Sequence, residues 1–185
     1  MRFWEKGLFF TVNINSDMRK LVIRAATPDD ILSIVKVSLA STTKEEVQGF
    51  SAPECVTFSS SGELRKAWVE GNRLKDGFEV IVAEKNGEIV GFIVFKMERD
   101  HGYIDNIDIV KDEQRKGIGR ALVEHVENIA KAKGLSLMKT DTTEDIEGVP
   151  WKSYGFWIKM GYKDSEERLP TKWNFKTIPF VKKLE

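Results

Sequence analysis

Apolar residues recur along this chain at two distinct periods, and the switches between them outline its elements. Leu21-Val22-Ile23 is a short apolar run. Thr27-Pro28 follows it, and then Ile31, Ile34, Val35 and Leu39 at helical spacing. That order predicts a strand and then a helix over 28–40, with Thr27 as N-cap and Pro28 at the first helical position. Ser59-Ser60-Ser61-Gly62 leads into a second helical stretch, 62–72, carrying Leu64, Ala67 and Trp68. Phe78–Glu84 and Glu88–Met97 read as strands joined by Asn86-Gly87, a pair that tolerates the positive φ angles of a tight hairpin. Asp100-His101-Gly102 makes another turn before a strand over Tyr103–Val110.

Past that strand, Ile118, Leu122, Val126 and Ile129 mark one face of a helix reaching Lys133, with Glu124, Glu127 and Lys131 assigned to its wet side. Gly134 ends it. Leu135–Asp141 reads as a strand and Trp151–Met160 as a last helix closed by Gly161; Tyr162 onward and Phe175–Leu184 supply the final strands. Pro179 cannot donate to a ladder, so it argues for an edge or bulge position. The sum is an α+β fold, a mixed and mainly antiparallel sheet flanked by helices. A domain over 18–185 is expected to begin near Met18. Residues 1–17 are then an upstream extension, an arm or the product of a misassigned start, and Phe3, Trp4, Leu8, Phe9 and Phe10 favour an arm packed on the body or on a partner subunit.

Composition narrows the class. The chain has 185 residues, 41% hydrophobic and 31% charged, enough for one domain with a proper core. Its 29 basic and 29 acidic residues cancel, so a global footprint for nucleic acid or an anionic membrane is not expected. Cys55 is the only cysteine, which excludes an intramolecular disulfide and a cysteine-rich zinc site. The longest apolar run, Ile89–Phe95, is too short to cross a bilayer, and Arg2, Glu5 and Lys6 interrupt the N-terminal apolar residues. A cytoplasmic protein is expected. His101 and His125 lack metal-ligand spacing, so no metal is expected.

The chemistry concentrates at Ile107-Asp108-Ile109-Val110-Lys111-Asp112-Glu113-Gln114-Arg115-Lys116-Gly117-Ile118-Gly119-Arg120. An apolar strand passes through a charged turn into a glycine-bearing helix start. First-turn N–H groups have no intrahelical partner, and the helix dipole favours anions there, which suits a pyrophosphate. A third glycine and parallel βαβ units are missing for a dinucleotide fingerprint, and Gly-Lys-Ser/Thr is missing for a nucleotide phosphate loop. Close helix–strand packing is the bland alternative for Gly117 and Gly119.

The stretch Asn106–His125 closely resembles the acetyl-CoA-binding motif of the GNAT family of N-acetyltransferases: aliphatic-x-aliphatic, four residues, then Gln/Arg-x-x-Gly-x-Gly/Ala and an amphipathic helix. Lys111 stands where the family often has proline. The wording is nearest the ribosomal-protein alanine acetyltransferases, and the order of elements from Leu21 to Leu184 also looks like the family fold. The resemblance implies acetyl-CoA as co-substrate and a primary amine, of a small molecule or peptide, as acceptor, with direct attack and no covalent enzyme intermediate. It implies that the main chains of Ile107, Asp108 and Ile109 bind the pantetheine arm and acetyl oxygen. The pyrophosphate would lie on the turn Gln114, Arg115, Lys116, Gly117, Ile118, Gly119 and Arg120.

Asp141 falls where the alanine acetyltransferases carry a glutamate proposed as base, and Asp105 alternates onto the face of Ile107 and Ile109. Family members often place a tyrosine acid where this chain has Trp157; Tyr154, one helical turn away, is the substitute candidate. The family's asparagine after the fifth strand gives way to Thr142–Pro150, whose Glu144, Asp145 and Glu147, with Asp141, would favour a cationic acceptor; an ordinary solvated acidic loop is the equal alternative. A CoA-binding sensor or scaffold without turnover is the alternative, and a homodimer stays open, as many relatives are dimers.

Overall fold

The computed structural model describes residues 10–11, 21–40, 77–171 and 175–185. The second helical stretch, Cys55, Trp173 and nearly all of the N-terminal arm lie outside them. The strands are β1 (Phe10–Thr11), β2 (Leu21–Ala25), β3 (Phe78–Lys85), β4 (Glu88–Met97), β5 (Gly102–Ile109), β6 (Leu137–Glu144), β7 (Lys163–Asp164), β8 (Leu169–Pro170) and β9 (Lys176–Lys183). The helices are α1 (Ile31–Ala40), α2 (Ile118–Ala132) and α3 (Tyr154–Lys159). Two compact units share them, one of Met1–Val94 and Asn106–His125, the other of Phe95–Asp105 and Val126–Glu185. Strands β4 and β5 and helix α2 each run through both. The sheet is mixed and mainly antiparallel, with helices on it; β5 and β6 form a parallel pair.

In the first unit, β1 to β5 are neighbours in chain order. Asn86 and Gly87 turn β3 into β4 with φ of 56° and 87°, as the dipeptide predicts. Ile34 and Val37 of α1 close over Val82, Phe92 and Val94. The predicted helix over 28–40 is α-helical from Ile31; Pro28–Asp30 make a 3₁₀ turn held by Asp30. The Asp30 carboxylate accepts from the Thr27 N–H at 2.7 Å and hydroxyl at 3.0 Å, and from both terminal nitrogens of Arg24 at 2.8 and 2.9 Å. Gly91 faces Ile109 and Ile118 so closely that any Cβ there would overlap the Ile109 side chain. The start of α2 therefore packs down on β4 and β5.

The second unit carries the order β4-β5-β6-β9-β7, with β8 also on β9. Helix α2 ends at Gly134 (φ 78°), where the Leu135 N–H returns to the Ala130 carbonyl; α3 ends likewise at Gly161 (φ 85°), with Tyr162 on Trp157. That closure consumes the Leu135 N–H, so β6 begins at Leu137 and not at Leu135. Helix α3 begins at Tyr154, later than Trp151, because the chain first makes a tighter turn, with the Tyr154 N–H on the Trp151 carbonyl, and the bond from Trp157 N–H to the Ser153 carbonyl opens the α-helical pattern. Glu127 is buried, not on the wet side of α2: both its oxygens lie 2.8 Å from Lys182 Nζ.

Pro179 is inside an inner strand rather than an edge strand. Its carbonyl accepts from Ser165 N–H, so its missing N–H points to the same side, where β7 has ended at Asp164 and β8 starts only at Leu169. The proline costs no rung with β6, and the position is a local edge within a covered strand. Among the described residues no helix is long and apolar enough to cross a membrane.

Candidate active site

The glycine turn belongs to the first unit. After β5, Lys111–Glu113 form a 3₁₀ turn, Arg115 takes a left-handed φ of 64° and Gly117 one of 91°, and α2 opens at Ile118. Successive departures of this kind aim neighbouring N–H groups to one side, an anion-binding arrangement. Ala121 N–H is the first to close within the helix, on the Gly117 carbonyl at 3.0 Å. The N–H groups of Ile118, Gly119 and Arg120 thus begin α2 without intrahelical partners. Arg115, Lys116 and Arg120 are exposed around them.

Two tethers hold the turn. Gln114 Nε2 donates to the Ile109 carbonyl at 2.9 Å, so this side chain closes the loop onto the end of β5. Glu113 is held between Lys85 Nζ at 2.8 Å and Lys116 Nζ at 3.2 Å, and the Lys85 bond keeps its carboxyl below the usual range. Ile107, Asp108 and Ile109 are half-buried, and Asp108 accepts from Asn106 Nδ2 at 3.2 Å.

In the second unit the parallel ladder between β5 and β6 has three rungs, Gly102↔Met138, Tyr103↔Lys139 and Ile104↔Thr140. Both strands then continue, to Ile109 and to Glu144, while β6 keeps its ladder with β9 to Glu144↔Lys176. Register partners share a face and alternate residues change it. Tyr103, Asp105, Lys139 and Asp141 therefore stand on one face, and Thr140, Thr142, Ile178 and Phe180 on the other. Tyr103 OH donates to Asp141 Oδ2 at 2.6 Å. Burial, together with the charge of Asp105, raises the Asp141 carboxyl above its ordinary value, against the pull of the Tyr103 bond.

Tyr154 occupies the opposite face. Its ring meets Phe180 edge-on at 5.2 Å, and the neighbouring Ser153 hydroxyl bonds that of Thr142. Its hydroxyl donates to Asp164 Oδ2 at 3.1 Å, which raises the phenol's pKa. Arg168 grips Asp164 through two nitrogens at 3.0 and 2.9 Å and reaches buried Glu144 at 2.9 Å. Asp145, exposed, accepts from the backbone N–H groups of Glu147 and Val149 in its own surface turn. Two of the acidic residues read from Thr142–Pro150 are thus engaged within the protein, Glu144 by Arg168 and Asp145 by its own turn.

Trp157 is a core residue, packed edge-on against Phe156 and Tyr162. Burial lowers the pKa of His125, and His101 pairs with Asp100 at 2.7 Å. The structure thus brings Asp105 and Asp141 together and sets Tyr154 apart from them. Tyr103, Glu113, Asp164 and Arg168 escaped the sequence reading. Tyr103 left a trace there as the residue two before Asp105 on the same strand face, and Glu113 as a member of the charged turn before Gln114.

The acetyltransferase (GNAT) family matches residues 45–149, more than half of the chain. No curated protein matches it. Among solved structures, a GCN5-related N-acetyltransferase from Rhodopseudomonas palustris is 20% identical with a TM-score of 0.67, covering 90% of this chain and 98% of its own. PaiA N-acetyltransferase from Thermoplasma acidophilum, solved in complex with coenzyme A, is 18% identical with a TM-score of 0.65 (86% and 98% covered). The ribosomal-protein-S18-alanine N-acetyltransferase from Escherichia coli is 14% identical with a TM-score of 0.61 (89% and 94% covered). At such identities the likeness speaks to the fold, and the fold agrees with the sequence family: the chain belongs to the GNAT family of N-acetyltransferases.

Proposed function

We propose that the protein transfers an acetyl group from acetyl-CoA to a primary amine of a small molecule or peptide by direct attack in a ternary complex. The observation that carries this reading is the Gln114–Arg120 turn into α2, with left-handed Arg115 and Gly117 and three helix-start N–H groups. Such a turn suits a diphosphate. The coenzyme A complex of PaiA N-acetyltransferase is consistent with it. The main chains of Ile107, Asp108 and Ile109 lead into that turn and would carry the pantetheine arm.

Amine nitrogen bonds to the thioester carbonyl carbon, the C–S bond then breaks, and the nitrogen loses a proton. Asp141 takes that proton: partial burial has raised its carboxyl towards a value that makes it a better base. Asp105, exposed on the same face, adds negative charge that favours a cationic acceptor. Tyr154 lies on the other face and supplies a proton to the departing thiolate once its O–H turns away from Asp164, whose carboxylate Arg168 keeps paired. Acid and base thus act from opposite faces of the strands where the β5–β6 ladder ends.

Release of thiol from acetyl-CoA across a panel of small amines, polyamines and peptide N-termini tests the reading. A second reading, a CoA-binding sensor without turnover, is favoured by Trp157 at the usual tyrosine position and by the Tyr154 hydroxyl's bond to Asp164. Thermal stabilisation by CoA with no thiol release on the whole panel would establish it instead.

A further inference from the structure

We infer that Tyr103 is a positioning residue for acetyl transfer: its hydroxyl pins Asp141 through Oδ2 and leaves Oδ1 to receive the proton of the attacking amine. The inference rests on Asp141 as the base. Its geometry stands by itself: the 2.6 Å bond crosses from β5 to β6 one step past the Tyr103↔Lys139 rung, between half-buried side chains. A carboxylate has two equivalent oxygens and a freely turning χ2, so a base on a strand needs something to choose which oxygen faces the acceptor.

The Tyr103 ring is itself held. Lys96 Nζ lies 5.9 Å from its centroid, and Lys96 is paired with Glu98. Among the described residues, the other charged groups on this face are Asp105 of β5, Lys139 of β6, Lys163 of β7 and Lys183 of β9, while β9 presents Pro179 and Val181 nearer to Asp141. Tyr103 keeps its own proton throughout: burial and the two aspartates push its phenol far above the ordinary value, so it orients Asp141 and does not titrate.

Tyr103→Phe tests this while preserving the ring beneath Lys96. A hydrogen bond to the charged form lowers a carboxyl pKa, so its loss raises the Asp141 pKa. The acidic limb of kcat/KM should then move up by about one pH unit, a tenfold loss of activity on that limb. The Asp141 side-chain carboxyl, followed by carbon NMR titration, should move with it, and KM for acetyl-CoA should stay put. In an Asp141→Asn background the same change should shift no limb. An unmoved limb in Tyr103→Phe overturns the inference while leaving acetyl transfer standing. An Asp141→Asn enzyme as active as the parent overturns both the base assignment and the inference. Absence of thiol release by the parent with every amine refutes the proposed function, and the NMR titration still reports whether Tyr103 governs Asp141.

Discussion

The Asp30 carboxylate offers the sharpest quantitative expectation. It is 8% exposed and collects four hydrogen bonds, two from Arg24 and two from Thr27, and Arg24 is the largest influence that lowers its pKa from the ordinary 3.8 to about 2. That difference corresponds to about 2 kcal/mol of folding free energy. The sign follows from the direction. The folded-state value is below the unfolded one, so the contribution is complete well above pH 4 and fades as pH falls from about 4 to about 2. Asp30→Asn keeps an acceptor for Thr27 and removes the charge, and Arg24 retains Glu84 at 2.9 Å. Urea unfolding of parent and variant at neutral pH should differ by about 2 kcal/mol, and at pH 3 by about half of that. A difference that is equal at both pH values, or below about 0.5 kcal/mol at neutral pH, would refute the assignment of this stability to the Arg24–Asp30 pair.

Three further outcomes are expected. Gly117→Val forces a β-branched residue to φ 91°, and calorimetry should show CoA binding at least about tenfold weaker in a still-folded protein. Tyr154→Phe should depress turnover in the thiol-release assay and leave CoA affinity nearly intact; unaltered turnover removes Tyr154 from the mechanism. Tyr162 is buried and its hydroxyl makes no well-formed hydrogen bond among the described residues; Glu127 is the group near enough to bond it, and burial followed by this carboxylate pushes the phenol's pKa up. Tyr162→Phe should therefore raise stability by about 1 kcal/mol in thermal unfolding, and a clear loss would show that the hydroxyl has a partner.

The parts of this protein that were legible in the sequence are those written locally. Asn86-Gly87 specifies its turn through two φ angles, and Gly134 and Gly161 mark helix ends for the same reason. The Gln114–Gly119 turn carries its own spacing. What escaped depends on pairing between distant strands. That Tyr103 meets Asp141 follows from a parallel register of residues 36 apart, which no local pattern encodes. The Glu127–Lys182 and Glu144–Arg168 pairs were hidden similarly, because a charged residue on an amphipathic element reads as solvated until its partner is known. Pro179 was misplaced because the gap between β7 and β8 is a property of the loop connecting them, not of β9.

The opposition of Asp141 and Tyr154 across one layer of backbone has an evolutionary corollary. Residues surrounding either group touch different neighbours, so if Asp141 and Tyr154 act as proposed, drift beside Lys139 and Thr143 would retune acceptor preference without disturbing the Tyr154 hydroxyl held by Asp164 and Arg168. Directed selection for a new amine should accordingly accumulate its changes on a single side of β6, leaving Phe180, Thr142 and Ser153 as they are.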